Sequence, residues 1–245
     1  MSDEIKIREF CEEDAEGLAR MWQESLPVWP PFFNDGIPYT AERVLREQRE
    51  FGRIFTLVAA GEDEVPGFCG ASFIPKEKSA AYVAILNVSP SRHKQGLGKR
   101  LLLETLRRVS DMGYERLDLH TWTSNLPAVP LYKKTGFFWE PETTVHMINY
   151  LPKVFRNPLA RAYFDRHDWY KAFKRELKLE PDEQLLGKAK VFVYEWEEKG
   201  DRLKVTVNHD AREICAIENQ DLSLSCTLPD SEPVVGLPHT VRLKV

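Results

Sequence analysis

The chain has 245 residues, a formal net charge of -4 at pH 7, 42% apolar residues and 29% charged ones. That length suits one domain with an appendage, the apolar share supports a packed core, and no apolar run approaches membrane-spanning length. The acidic balance speaks against nucleic-acid binding as the main business.

The start, Met1-Ser2-Asp3-Glu4-Ile5-Lys6-Ile7, is charged and then strand-like, which is no signal-peptide pattern. Ile5 to Phe10 alternates apolar and charged residues, as a half-buried strand does. After Asp14, Leu18, Met21, Trp22 and Leu26 recur at helical spacing. Pro27 to Pro38 is a loop in which Trp29, Phe32 and Phe33 stand among prolines. Prolines exclude regular structure and aromatics are costly in water, so the loop either packs on the body or lines a pocket. Thr40 caps a second helix bearing Val44, Leu45 and Phe51. Ile54–Ala60 and Gly67–Ile74 read as two strands of a hairpin, and Lys76–Ser79 as the turn into an apolar strand, Ala80–Val88.

That strand breaks at Pro90, passes polar residues and two glycines, and becomes a helix with Leu97, Leu101, Leu102 and Leu106 on one face. A strand feeding a glycine-bearing loop at a helix N-terminus makes an anion site, because the first helical N–H groups lack partners and the helix dipole is positive there. Arg92, His93, Lys94, Lys99 and Arg100 surround the turn, which points to a ligand with several phosphates. A P-loop is excluded, since His93 stands where its first glycine belongs and Arg100 replaces its hydroxyl. A dinucleotide fingerprint fails at Leu101, where a third glycine is required. Gly113 ends the helix, and Arg116–Trp122 forms another strand.

The spacing His93-Lys94-Gln95-Gly96-Leu97-Gly98 resembles the pyrophosphate loop of the GNAT acetyltransferases, [RQ]-x-x-G-x-[GA], with His in the first place. Downstream, Asn125-x-x-Ala128-x-x-Leu131-Tyr132-x-x-x-Gly136-Phe137 resembles the family's second signature at every fixed position. The two motifs stand in the family's order. The resemblance extends over residues 4 to 150 and implies an α+β fold, a GNAT-like mixed, mostly antiparallel sheet flanked by helices.

Residues 153–158, bracketed by Pro152 and Pro158, read as a linker. Asp165–Leu179 reads as an amphipathic helix through Trp169, Phe173 and Leu177, packing across a domain junction. Short β-rich runs follow at Val191–Trp196, Leu203–Val207, Glu213–Ile217, Leu222–Leu228 and Thr240–Val245, separated by turn residues. The expected division is therefore a transferase domain over 1–152, a linker and helix over 153–182, and a small antiparallel β domain over 183–245. The four cysteines, Cys11, Cys69, Cys215 and Cys226, show no C-x-x-C spacing. Neither a disulfide framework nor a metal site is expected, and a cytoplasmic location is the default.

The resemblance implies transfer of an acetyl group from acetyl-CoA, as co-substrate, to an amine by direct attack in a ternary complex. The amides of residues 94 to 99 would hold the pyrophosphate, with His93, Lys94, Gln95, Gly96, Leu97, Gly98 and Lys99 as the loop's cofactor-binding residues. A backbone N–H near Leu86–Val88 would receive the developing oxyanion. The pantetheine arm would lie between the strands 80–88 and 116–122, with Asn125 bonding it. Tyr132 would protonate the departing thiolate. Many relatives carry an acidic base on the strand before the loop, and Ala80–Val88 has none. Glu77, His120, His146 or a water chain are the alternatives. The connection carrying Trp29, Phe32 and Phe33 would form one wall of the amine pocket, with Asp35 or Glu24 drawing the ammonium. A small-molecule or peptide amine is the expected partner, with a homodimer as a further option and neither nucleic acid nor membrane. Rival readings are an acyl-CoA-binding sensor lacking proton chemistry, and a partner-binding or dimerising β module regulated by the transferase half.

Overall fold

The structure, a computed structural model, describes residues 4–29, 36–50, 52–175, 177, 181–220, 223–227 and 242–244. The chain divides into two compact units, Met1–His120 and Thr121–Val245.

In the first unit the elements are β1 (Lys6–Glu9), α1 (Ala15–Ser25), α2 (Ala41–Glu50), β2 (Arg53–Ala60), β3 (Gly67–Ile74), β4 (Glu77–Val88), α3 (Leu97–Asp111) and β5 (Arg116–His120). The strands lie side by side in chain order. β1 to β4 pair antiparallel and β5 joins β4 in parallel, giving a mixed, mostly antiparallel sheet. Only the parallel pair needs a long crossover, and α3 provides it. Side chains alternate between faces along a strand. On β3, Phe68 meets the Trp22 ring of α1 at 5.4 Å, while its neighbour Cys69 meets Thr105 of α3 at 3.3 Å. So α1 and α2 cover one face and α3 the other. The α1 side is filled by Leu18, Met21, Trp22, Val44, Val58 and Phe68.

The turn expected over Lys76–Ser79 is shorter than the sequence suggests. Ile74 pairs with Glu77, so Pro75 and Lys76 make the whole connection, Lys76 at φ 70. Glu77 to Ser79 look like loop because they are polar, but Glu77 pairs with Ile74 and the exposed Lys78 and Ser79 continue the strand as extra residues before Ala81 pairs with Phe73. Further along, Gly70 pairs with Ile85 and Ala71 with Val83, which leaves Ala84 as an extra residue, a bulge in mid-β4.

The second unit holds α4 (Val129–Lys134), β6 (Phe138–Trp139), β7 (His146–Asn149), α5 (Leu151–Arg156), α6 (Pro158–Phe164), α7 (Trp169–Ala172), β8 (Phe173–Lys174), β9 (Gln184–Leu186), β10 (Ala189–Glu198), β11 (Asp201–Asn208), β12 (Glu213–Asn219), β13 (Ser223–Thr227) and β14 (Arg242–Lys244). A second, antiparallel sheet runs β14-β13-β12-β11-β10-β8, with β9 also on β10. Its core is aromatic and continuous with the preceding segment: Phe138 lies 4.6 Å from Phe192 and 5.0 Å from Tyr194, ring centre to ring centre. The Tyr194 hydroxyl donates to the Gly136 carbonyl at 3.2 Å and accepts from the Tyr150 N–H at 2.8 Å. Burial pushes that phenol well above its ordinary pKa, so it stays protonated.

Two expectations fail here. The segment 153–158 is no linker, because its prolines start helices. Pro158 is the first residue of α6, where a missing N–H costs nothing, and the Asn157 side chain caps the next two free N–H groups at 3.0 and 3.4 Å. Of the helix expected over Asp165–Leu179, the described residues are α-helical at Trp169–Ala172, after which Phe173 turns extended and pairs with Trp196. Phe173 gains an aromatic partner at 5.3 Å in that pairing, and the tertiary contact overrides the helical period.

Candidate active site

The anion loop is built as its residues require. After β4, a 3-10 turn spans Pro90–Arg92, and the chain then uses two left-handed residues, Lys94 at φ 62 and Gly96 at φ 79. Gly96 stands immediately before α3 with no side chain capping that helix, and the first N–H groups of a helix, which have no intrahelical partner, are the kind of donors that bind an anion. His93, Lys94 and Gln95 are exposed, Gly96, Gly98 and Lys99 half-buried, and Leu97 is buried in the core. His93 turns back on the strand, its Nε2 lying 2.9 Å from the Val88 carbonyl, which makes that nitrogen the N–H donor. Arg92 is engaged elsewhere, forked onto the Glu64 carboxylate of the β2–β3 turn. Arg100 donates to the Ile5 carbonyl at 2.7 Å. Of the basic residues around the turn, Arg92, His93 and Arg100 are thus each bonded to another group.

β4 and β5 pair only at Ala80–Arg116, Ala81–Leu117 and Tyr82–Asp118. From Val83 to Val88, β4 runs on while its ladder to β5 has ended, and this parting leads straight to the anion loop. The Ser89 N–H donates to the Pro66 carbonyl at 2.7 Å, so at that position the peptide faces β3. Peptide groups alternate along a strand, which turns the N–H groups of Val88 and Leu86 away from β3, to the side from which β5 has parted. Both residues named for the oxyanion thus present donors to the gap.

The candidates for a base differ in setting. Glu77 lies at the opposite end of β4 from the loop, bonded at 2.8 Å to Arg116, which also grips Asp118 at 2.7 Å. His120 closes β5 at the parting, its Nδ1 3.1 Å from the Tyr82 hydroxyl. His146, in the second unit, has Nδ1 4.0 Å from Glu140. The acceptor-wall residue Trp29 is half-buried, its ring 5.3 Å from Trp22 and its indole N–H 3.1 Å from the Asn87 side-chain oxygen on β4. Phe32, Phe33 and Asp35 lie outside the described residues. Glu24 accepts from the Ser89 hydroxyl at 2.8 Å.

The remaining two residues belong to the second unit. Asn125 donates to the Thr121 hydroxyl at 3.0 Å, and its carbonyl accepts from the Ala128 and Val129 N–H groups. Tyr132 sits on α4, 8% exposed, with its ring edge toward Phe137 at 5.9 Å. Beside it lies a network that the sequence does not announce. Lys133 is buried against Asp182 at 3.0 Å, Asp182 also accepts from the Trp139 N–H at 2.8 Å, and Arg175 lies over the Phe138 ring at 3.8 Å. It fixes α4 in place. Among the described residues no cluster of three metal-ligating side chains occurs, and no helix is long and apolar enough to cross a membrane.

A family model described as "Acetyltransferase (GNAT) family" matches residues 18–137. The mycothiol acetyltransferase of Segniliparus rotundus is 29% identical over 139 residues, 55% of this chain and 52% of that protein. That of Kineococcus radiotolerans is 34% identical over 87 residues, 36% of this chain and 27% of that protein. The chain thus spans about half, or less, of the length of the curated relatives it matches. Among solved structures, PaiA N-acetyltransferase from Thermoplasma acidophilum in complex with coenzyme A aligns with a TM-score of 0.48 at 21% identity, over 60% of this chain and 99% of that one. A putative GNAT-family acetyltransferase from Desulfovibrio desulfuricans aligns with a TM-score of 0.49 at 21% identity, over 59% and 96%.

Proposed function

We propose, from the match of residues 18–137 to the family model described as "Acetyltransferase (GNAT) family", that the chain moves an acetyl group from acetyl-CoA to an amine by direct attack in a ternary complex. The observation that carries the reading is the parting of β4 from β5 ahead of an uncapped, glycine-bearing helix N-terminus. Such a gap offers an extended acyl chain two backbone edges, and the helix end offers its phosphates oriented N–H groups.

In this reading the N–H groups from Lys94 to Lys99 hold the pyrophosphate, and the Lys94 and Lys99 ammonium groups add charge. The N–H of Leu86 or Val88 takes the carbonyl oxygen as it becomes an oxyanion, a fixed dipole needing no reorganisation. Asn125 bonds the pantetheine arm, and the Tyr132 hydroxyl protonates the thiolate. The acceptor is a small-molecule or peptide amine with an apolar or aromatic portion, held by Trp29, Phe32 and Phe33. A hollow of about 440 Å³ beside α1 and the start of α2, lined by Glu16, Arg20, Gln23, Glu24 and Tyr39 among others, offers an acceptor a place on this side. The names of the curated relatives make the acceptor of a mycothiol acetyltransferase one candidate to include. The division into 1–152, 153–182 and 183–245, a cytoplasmic location and a homodimer belong to the same proposal.

Calorimetric titration with CoA tests the cofactor half of this reading. One site per chain is expected, lost in Gly96→Val. Undiminished binding by a folded valine variant would remove the site from the loop.

A further inference from the structure

We propose that Arg175 and Tyr194 are positioning residues for the transfer, holding Tyr132 where its hydroxyl meets the departing sulfur; this rests on the acetyltransferase reading above, in which Tyr132 supplies that proton. Both residues lie beyond the segment that the family model matches, which ends at residue 137. The C-terminal part of the chain thereby gains a task in the chemistry.

α4, which carries Tyr132, is six residues long. A helix of that length has little stability of its own, and its last carbonyls have no partners inside it. Its place is set by the groups that take those carbonyls. Within the turn, the Tyr132 carbonyl accepts from the Thr135 hydroxyl at 3.0 Å and from the Phe137 N–H at 3.1 Å. From beyond it, the Arg175 guanidinium donates to the Lys133 carbonyl at 3.3 Å and to the Phe137 carbonyl at 3.0 Å. The Tyr194 hydroxyl donates to the Gly136 carbonyl at 3.2 Å, and the Asn149 amide to the Thr135 carbonyl at 2.9 Å. The carbonyls of Lys133, Thr135, Gly136 and Phe137 are thus fastened by three side chains, two of them from the C-terminal part.

The fastening groups are themselves fixed. Thr135, Asn149 and Tyr194 are fully buried, and the Tyr194 hydroxyl also accepts from the Tyr150 N–H at 2.8 Å. The Arg175 guanidinium lies over the Phe138 ring at 3.8 Å and 3.6 Å from Asp182. Asp182 in turn bonds Lys133, the neighbour of Tyr132, at 3.0 Å. Buried ion pairs are a poor source of stability, because desolvation offsets their attraction; here they secure geometry. That geometry matters for the proton. As the thioester C–S bond breaks, its electron pair stays on sulfur and the Tyr132 O–H gives its proton there. The phenolate regains one, through solvent, from the acceptor nitrogen that has formed the new C–N bond. A misplacement of about 1 Å in such a step can cost about 100-fold in rate.

A double-mutant cycle on the full chain tests this. Thiol release from saturating acetyl-CoA is followed with hydroxylamine as acceptor, and circular dichroism reports the folded fraction. Tyr132→Phe should lower kcat about 100-fold. Arg175→Met keeps the stem over Phe138 and removes the donors; it should lower kcat about tenfold with the KM for acetyl-CoA little changed. Tyr194→Phe keeps its ring and packing, should act in the same direction, and carries the cycle where Arg175→Met does not fold. Added to Tyr132→Phe, either substitution should cost less than about twofold more, since it acts through a hydroxyl already gone. A purely structural role predicts the same fold-loss in both backgrounds, and that result overturns the proposal, as does an unchanged kcat in a folded Arg175→Met or Tyr194→Phe. Full activity in Tyr132→Phe, or no thiol release by wild type, overturns the reading beneath it. A loss in Tyr132→Phe with additive second substitutions overturns this inference alone.

Discussion

Replacing Gly96 by alanine or asparagine separates backbone strain from damage to the anion site. Gly96 holds φ 79, and nothing lies within 4 Å of where its Cβ would stand. A methyl there meets no neighbour, so the stability cost of alanine is that of a left-handed L-residue, about 1 kcal/mol. Asparagine adopts that conformation more readily and should cost less. Binding responds differently. If pyrophosphate lies against this turn's N–H groups, the Cβ of either variant stands in its approach. Losing one charge-assisted hydrogen bond costs about 1.5–3 kcal/mol, or roughly 10- to 150-fold in Kd. The assay pairs urea unfolding with calorimetric titration of CoA on the same preparations. Gly96→Asn is expected to unfold near the wild-type midpoint and to bind at least about tenfold more weakly. An asparagine variant that binds CoA as wild type does would refute the reasoning, since the loop would then be a turn and nothing more.

Other outcomes follow from the same geometry. Tyr132→Phe keeps the packing against Phe137 and should lower kcat by roughly 10²-fold with the KM for acetyl-CoA little changed, whereas an unaltered kcat would leave the ring a packing role only. Trp29→Ala should raise the acceptor KM without moving the acetyl-CoA KM; a loss of thermal stability with acceptor KM unchanged would mean that the indole only closes the α1 core. Gly136→Ala sets a Cβ 2.5 Å from Leu151 Cδ1 at φ 95, and denaturant unfolding should show a loss of about 2–4 kcal/mol, with a near-neutral result speaking against the packing described. For Asp14, burial opposes the charge, but the Arg8 guanidinium at 2.6 and 2.7 Å and the Cys11 N–H outweigh it and hold the carboxyl below its ordinary value of 3.8. A lowered folded pKa contributes stability above the unfolded value and loses it as pH falls through the folded one, so Asp14→Asn should flatten the decline of stability below about pH 4. A decline of unchanged slope would assign it to other carboxylates.

What could be read from the sequence was what local pattern controls. The strand–loop–helix around Gly96 was legible because apolar run, proline, glycines and helical leucines each act over a few residues. The hairpin of β2 and β3 was legible for the same reason. Less could be read where distant partners decide. Pro152 and Pro158 looked like breakers because a proline at the first turn of a helix has the same letter as one that ends it, and only the Asn157 cap tells them apart. Phe173 kept a helical spacing with Trp169 but pairs with Trp196, which lies in a different strand. Of the candidate site, the place of the loop between β4 and α3 was expected. The meeting of Tyr82 with His120 was not, for it depends on the parallel register of β4 and β5. Likewise the Arg92–Glu64 pair removes from the loop a cation that the sequence counts toward it. The His93–Val88 bond occupies the residue that departs from the family pattern. The second sheet carries no motif, and its core with Phe138 and Tyr150 emerges only in three dimensions.

The central claim is that acetyl leaves CoA for an amine, and the direct measurement is product balance in one reaction mixture. Acetyl-CoA is incubated with the full chain and a panel of small amines, amino sugars and a lysine-containing peptide, while free thiol is read by absorbance and acetylated amine by mass spectrometry. The account predicts thiol release that depends on at least one amine, matched mole for mole by its N-acetyl product. Thiol released without an acetylated amine, or CoA bound tightly with no release across the panel, would contradict it and favour the acyl-CoA sensor.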